Sequence, residues 1–303
     1  MSDMSLTFAG VSFKNPIVTA SGTFGFGREY NEYFDISRLG GICVKGLTLE
    51  PRPGNRPPRI AEAAMGMLNS VGLQNPGIDA FISDELPFLR GFDTVVIANI
   101  SGNTVEEYAL MAEKLSDAKV DMIEVNVSCP NVKAGGMQFG TSAQGIASVT
   151  EAVKKCSSIP VMVKLSPNVT DISEMARAAE ASGADAVSLI NTLLAMRIDT
   201  ETRKPILHNN VGGLSGPAVF PVAVRMVWQV ASAVKIPILG MGGVMSGDNA
   251  VEMMLAGAKL VGVGTACFDD PYAPIGIIRG IKKYMEQYNI DSIEGVVGKV
   301  TLN

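Results

Sequence analysis

The chain has 303 residues, 47% of them hydrophobic, enough to bury one large core. Its 25 Lys and Arg against 30 Asp and Glu leave a net charge of −5 with no basic run, which argues against a nucleic-acid partner. No apolar stretch reaches the ~18 residues a membrane span needs. The start, Met1-Ser-Asp-Met-Ser-Leu6, lacks a positive region followed by an apolar one, so a cytoplasmic protein without a signal peptide is expected.

In chain order, Leu6-Thr-Phe8 and Val11-Ser-Phe13, separated by Ala9-Gly10, read as a short hairpin. Four strand candidates follow, at Ile17 to Ala20, Ile42 to Val44, Val95 to Asn99 and Met122 to Val125. Four more lie at Val161 to Leu165, Ala186 to Ile190, Ile238 to Met241 and Leu260 to Val263. Helical patterns separate most of them, as at Val105 to Leu115, Ala143 to Cys156, Ile172 to Ala181, Pro221 to Val234 and Asn249 to Ala256. No linker, low-complexity tract or charge block divides the chain. Eight β-then-α units predict an α/β protein, a (β/α)8 TIM barrel forming one domain over 1–303. Two connections, Leu47 to Gly77 and Thr192 to Gly216, are too long for ordinary barrel loops. Both follow strand C-terminal ends, where barrel active sites lie, so they read as binding loops or lids on that face.

The residues that end the strands form a pattern. They are Ser21, Lys45, Asn99, Asn126, Lys164 and Asn191, then Gly242-Gly243 and Gly264-Thr265. Six hydrogen-bonding side chains around one barrel mouth describe a site that meets a large polar ligand from many sides. The glycine turns after strands seven and eight stand where this fold cradles phosphate. A helix-opening G-x-G-x-x-G with a later acidic residue is missing, so FMN fits better than a dinucleotide. A lysine buried in a barrel mouth must face an anion or lose its proton, and Lys45 and Lys164 suit the charge a reduced flavin gathers.

The stretch Asn126-Val-Ser-Cys-Pro-Asn131 closes the fourth strand. Asn126 and Asn131 can each donate and accept hydrogen bonds. Cys129 between them could take a proton from a carbon acid beside a carbonyl. A free thiol titrates near ~8.5, so such a rate should rise with pH. The following segment, Pro130 to Thr141 with Gly135-Gly136 as a hinge, reads as a lid. The four cysteines, Cys43, Cys129, Cys156 and Cys267, are scattered, and only His208 could join them as a ligand, so neither a metal nor an iron–sulfur site is expected.

Together these residues resemble the dihydroorotate dehydrogenases over essentially the whole chain. The specific matches are Asn15-Pro-Ile-Val-Thr-Ala-Ser-Gly22, Val44 to Asn55, Asn69 to Gly77, Val163 to Thr170, Asn191-Thr-Leu and Gly213 to Pro217. They look most like the class 1B, NAD-dependent branch. Ala195 departs from the pattern, where Gly would be expected. The resemblance implies oxidation of (S)-dihydroorotate to orotate in pyrimidine biosynthesis, with Cys129 as the base at C5 and FMN taking the C6 hydride. It implies FMN contacts from Ser21, Lys45, Gly46, Asn99, Asn126, Lys164, Ile190, Gly216, Gly242, Gly243, Gly264 and Thr265. It places Lys45, Asn69, Ser70, Val71, Gly72, Leu73, Asn126, Asn131, Asn191 and Thr192 around the substrate. It also implies a partner subunit carrying FAD and [2Fe–2S] that passes electrons to NAD, in a heterotetramer of two catalytic and two partner chains. The alternative within the family is a class 1A enzyme, using fumarate without a partner.

Overall fold

Eight parallel strands close into a barrel in this computed structural model, which describes residues 3–127 and 139–303. The hairpin of β1 (Leu6–Phe8) and β2 (Val11–Phe13) precedes it. The barrel begins with β3 (Ile17–Thr19) and β4 (Gly41–Cys43). Two strands outside it follow, β5 (Ile60–Ala63) and β6 (Gly66–Asn69). The barrel resumes with β7 (Val95–Ile100), β8 (Met122–Asn126), β9 (Val161–Lys164) and β10 (Ala186–Leu189). After four more outer strands, β11 (Leu193–Ala195), β12 (Ile198–Asp199), β13 (Lys204–Pro205) and β14 (Gly212–Ser215), it closes with β15 (Ile238–Met241) and β16 (Leu260–Val263). Closure comes from β16 pairing with β3, Val261 opposite Ile17.

All eight strands predicted from apolar runs are barrel strands, with ends shifted by at most about one residue, as strand ends commonly are. Their side chains are buried on both faces, inward into the barrel and outward against helices, as in β9, where all four residues are buried. The predicted helices appear at Val105–Asp117, Ala143–Cys156, Ile172–Ala181, Phe220–Ala231 and Gly247–Leu255. Four of these five start on a capping side chain. Thr104, Ser142, Asp171 and Ser246 each accept from a backbone N–H two or three residues on. A further helix, Ala273–Gln287, packs its apolar face, including Ile277 and Ile281, against Gly247–Leu255.

The two long connections do not remain loops. They pair with each other in an antiparallel sheet ordered β11-β14-β6-β5. Asn69 on β6 stands opposite Gly213 on β14. Ala195, the departure from the family pattern, sits in regular pairing with Gly212. Glycines permit this close approach. A Cβ on Gly66 would lie 2.2 Å from the Ser215 carbonyl oxygen, and one on Gly216 2.7 Å from the Gly66 Cα.

Candidate active site

A cleft opens at the C-terminal ends of the barrel strands, between the barrel and the added sheet. Each strand delivers its last residues to it, because a parallel barrel aims all its strand ends the same way. Ser21 follows β3 and Lys45 follows β4. Asn99 lies in β7, Asn126 and Lys164 end β8 and β9, and Asn191 follows β10. Gly242-Gly243 and Gly264-Thr265 continue β15 and β16. The sheet contributes Met67, Asn69, Gly213 and Ser215, and the turn after β6 contributes Val71, Gly72 and Leu73.

Lys164 is 4% exposed and donates from Nζ to Ser21 Oγ at 3.0 Å. It makes no ion pair among the described residues. A buried ammonium whose partner among the described residues is a hydroxyl calls for an anion. Asn99 is fully buried and donates from Nδ2 to Glu124 Oε2 at 2.5 Å, while its Oδ1 has no partner among the described residues. Buried carbonyl oxygens are rarely left so, and this one is ready for a ligand donor. Gly46 makes room for it, since a Cβ there would stand 2.8 Å from Asn99 Oδ1. Thr265 donates to Ser215 Oγ at 2.9 Å, tying the last barrel strand to the added sheet.

The glycine turn after β15 is close-fitting as well as left-handed. Gly242 has φ +126° and Gly243 φ +72°. A Cβ on Gly243 would come within 2.7 Å of the Gly216 carbonyl oxygen and 2.8 Å of Phe220 Cβ. A side chain is excluded on both counts, and the bare backbone lies along the cleft wall. A cationic pocket, an unpartnered amide oxygen and a bare glycine turn form a donor set that fits FMN. Lys45, Lys164 and Asn99 suit its ring, and Gly242-Gly243 with Gly264-Thr265 suit its phosphate.

Two predicted contacts stand behind the wall instead of on it. Ser70 is turned away by strand-like alternation with Asn69 and Val71. Its N–H donates to the Arg59 carbonyl at 2.8 Å, and its carbonyl accepts from Asn55 Nδ2 at 2.8 Å. Gly216 backs Gly243. Ile190 and Thr192 line the cleft. Cys129, Asn131 and most of the Pro130 to Thr141 segment lie outside the described residues. Tyr108 fastens what flanks them. Its hydroxyl donates to the Asn126 carbonyl at 2.8 Å, and its ring meets Phe139 edge-on at 6.0 Å.

The contacts expected from sequence did not include Met67, Gly213, Ser215, Met241, Val244 and Phe268 on the wall, nor Glu124 beneath it. Glu124 was hidden by its apolar neighbours, although period two places Met122, Glu124 and Asn126 on one face of β8. Burial, and next the Glu124 charge, push the Cys43 thiol well above its ordinary value, so it stays protonated and donates to Glu124 Oε2 at 3.2 Å.

Comparison with known proteins agrees with this arrangement. The chain is 58% identical over 298 residues to "Dihydroorotate dehydrogenase B (NAD(+)), catalytic subunit" of Alkaliphilus oremlandii, covering 98% of this chain and 99% of that protein. It is 55% identical over 301 residues to the protein of the same name from Thermoanaerobacter pseudethanolicus, covering 99% and 100%. A crystal structure of DHODH from Eimeria tenella in complex with ferulenol shares the fold, with a TM-score of 0.81 at 19% identity over 98% of this chain and 88% of that one. The family model described as dihydroorotate dehydrogenase matches residues 3–285, so a closed barrel with this polar mouth and nearly full-length likeness lead to one placement: the chain belongs to the dihydroorotate dehydrogenase family.

Proposed function

We propose that this chain is the catalytic subunit of an NAD-dependent, class 1B dihydroorotate dehydrogenase, a single FMN-binding barrel domain over 1–303 that oxidises (S)-dihydroorotate to orotate in pyrimidine biosynthesis. The observation that carries the reading is the convergence of Lys45, Lys164, Asn99, Asn126 and Asn191 with the Gly242-Gly243 turn on one cleft.

FMN, when bound, supplies the two-electron acceptor for the hydride that leaves C6 of the substrate. Lys164 and Lys45 place positive charge where negative charge gathers during reduction, and the burial of Lys164 makes that worth more. Asn69, Asn126, Asn191 and Thr192, with Asn131 carried over from the family, hold the substrate ring and carboxylate. Ser70, Val71, Gly72 and Leu73 shape its pocket. Cys129 removes the C5 proton. Ser21 holds Lys164 in place, and Thr265 anchors the far wall.

The electrons leave through a partner subunit with FAD and [2Fe–2S], in a cytoplasmic heterotetramer of two catalytic and two partner chains. Among the described residues no helix is long and apolar enough to cross a membrane. The test is anaerobic addition of dihydroorotate to the purified, yellow protein. The flavin absorbance should bleach and orotate should appear. A protein purified without FMN, or a flavin that dihydroorotate leaves oxidised, would overturn the proposal.

A further inference from the structure

Glu124 is an acid buried at the centre of the barrel, 0% exposed, on the inward face of β8. Three donors from three other strands converge on it. Asn99 Nδ2 of β7 and Cys43 Sγ of β4 reach Oε2, at 2.5 and 3.2 Å, and Ser188 Oγ of β10 reaches Oε1 at 2.6 Å. A residue that only filled this space would be apolar, since burying a carboxyl group is costly unless its oxygens are partnered. Here each carboxyl oxygen has a partner, and all three partners donate.

That arrangement has a consequence for Asn99. The amide turns its NH2 toward Glu124, whose Oε2 accepts from Nδ2 at 2.5 Å. Its oxygen is then forced the other way, over Gly46 at the cleft wall. That oxygen is the buried acceptor with no partner among the described residues. An isoalloxazine ring carries an imide N–H, a donor of the kind it lacks.

We infer that Glu124 is a positioning residue, which fixes the orientation of the Asn99 amide and so sets the hydrogen-bond polarity and the charge that the cleft offers its cofactor. The inference rests on the FMN reading above. Glu124 touches neither substrate nor cofactor and acts through Asn99. Ser188 and Cys43 hold its carboxylate in register.

The test is Glu124→Gln in the full-length holoprotein. It keeps the volume, removes the charge and sets one NH2 against another. FMN affinity, read from flavin fluorescence on dilution, should fall about tenfold, which is about 1.4 kcal/mol. The midpoint potential of the bound FMN should rise, because the turned Asn99 amide would offer the ring an NH2 in place of an oxygen. In an Asn99→Ala background the same substitution should weaken FMN no further, since the group it acts through is absent. If Glu124→Gln does not fold, Ser188→Ala repeats the cycle with a severalfold loss in place of tenfold. Wild-type affinity and potential in the variant, or the full loss in the Asn99→Ala background, would overturn the inference while the FMN reading stands. A wild-type protein without FMN would overturn both.

Discussion

A thiol on this chain is reactive or inert according to its surroundings. Under the proposed function Cys129 is the base, and Cys129→Ser should keep FMN while slowing flavin reduction by roughly a hundredfold or more. Anaerobic stopped-flow absorbance near pH 7 measures this, and a wild-type rate would remove Cys129 from the role. The other three thiols sort by burial. Cys156 is exposed, and Cys43 and Cys267 are buried. Burial, with Asp270 adding to it, raises Cys267 to about 12 from an ordinary 9.0, and burial chiefly raises Tyr30 from 10.0 to about 12. A thiol or phenol whose folded value is raised stays protonated in the fold while the unfolded chain ionises. Below about 9 both states hold the proton and stability is unaffected. Between about 9 and 12 the unfolded state loses it first, so stability should decline through that window. Denaturant midpoints taken from pH 8 to pH 11 should therefore fall only over the upper part. A thiol reagent should modify Cys156 promptly and leave Cys43 and Cys267 unmodified until the protein unfolds.

Among the elements, the added sheet carries the clearest prediction. Gly66 lies under Ser215, and Gly66→Ala would press a methyl against that backbone carbonyl. The pairing of β6 with β14 should loosen, displacing Asn69, Met67 and Ser215 from the cleft, while the barrel, which closes without this sheet, stays folded. KM for dihydroorotate should rise several-fold, with FMN content and the thermal midpoint little changed. A variant with wild-type KM would show that this pairing does not shape the pocket.

The same sheet shows which parts of the fold can be read locally. The barrel strands announce themselves because both faces are buried, so their sequences are continuous apolar runs such as Val-Met-Val before Lys164. Strands such as Gly-Met-Leu-Asn and Gly-Gly-Leu-Ser carry no such signal. Each is specified by a partner in the other connection, as when Asn69 Nδ2 meets the Gly213 carbonyl 144 positions away. Strand-end side chains were legible because the barrel sends every strand end to one mouth. Ser70, placed at the substrate by the resemblance, stands behind Asn69 and Val71, an arrangement set by backbone alternation that the resemblance alone does not display. Glu124 escaped because an acid within an apolar strand has meaning only once the barrel brings Asn99, Cys43 and Ser188 to it.

At the scale of the whole molecule the question is where electrons go. Among the described residues no group of His, Cys, Asp and Glu could hold a metal ion. Under the proposed function the isolated chain, given dihydroorotate and NAD, should reduce its flavin once and then stall. Adding the FAD and [2Fe–2S] subunit should restore NADH formation, followed at 340 nm. Rapid NADH formation by this chain alone would refute the need for a partner, and efficient turnover with fumarate alone would favour the class 1A alternative.

The sheet made from two distant connections also imposes an order in time. β6 and β14 can meet only after the chain between them, which holds four barrel strands, has been drawn into a side-by-side array. Refolding should therefore give the molecule its cylinder first and its substrate wall last. In pulsed hydrogen exchange, amides of Gly66–Asn69 and Gly212–Ser215 should gain protection after those of β7 to β10. A nascent chain would then pass through a stage in which the barrel mouth is assembled but not yet selective.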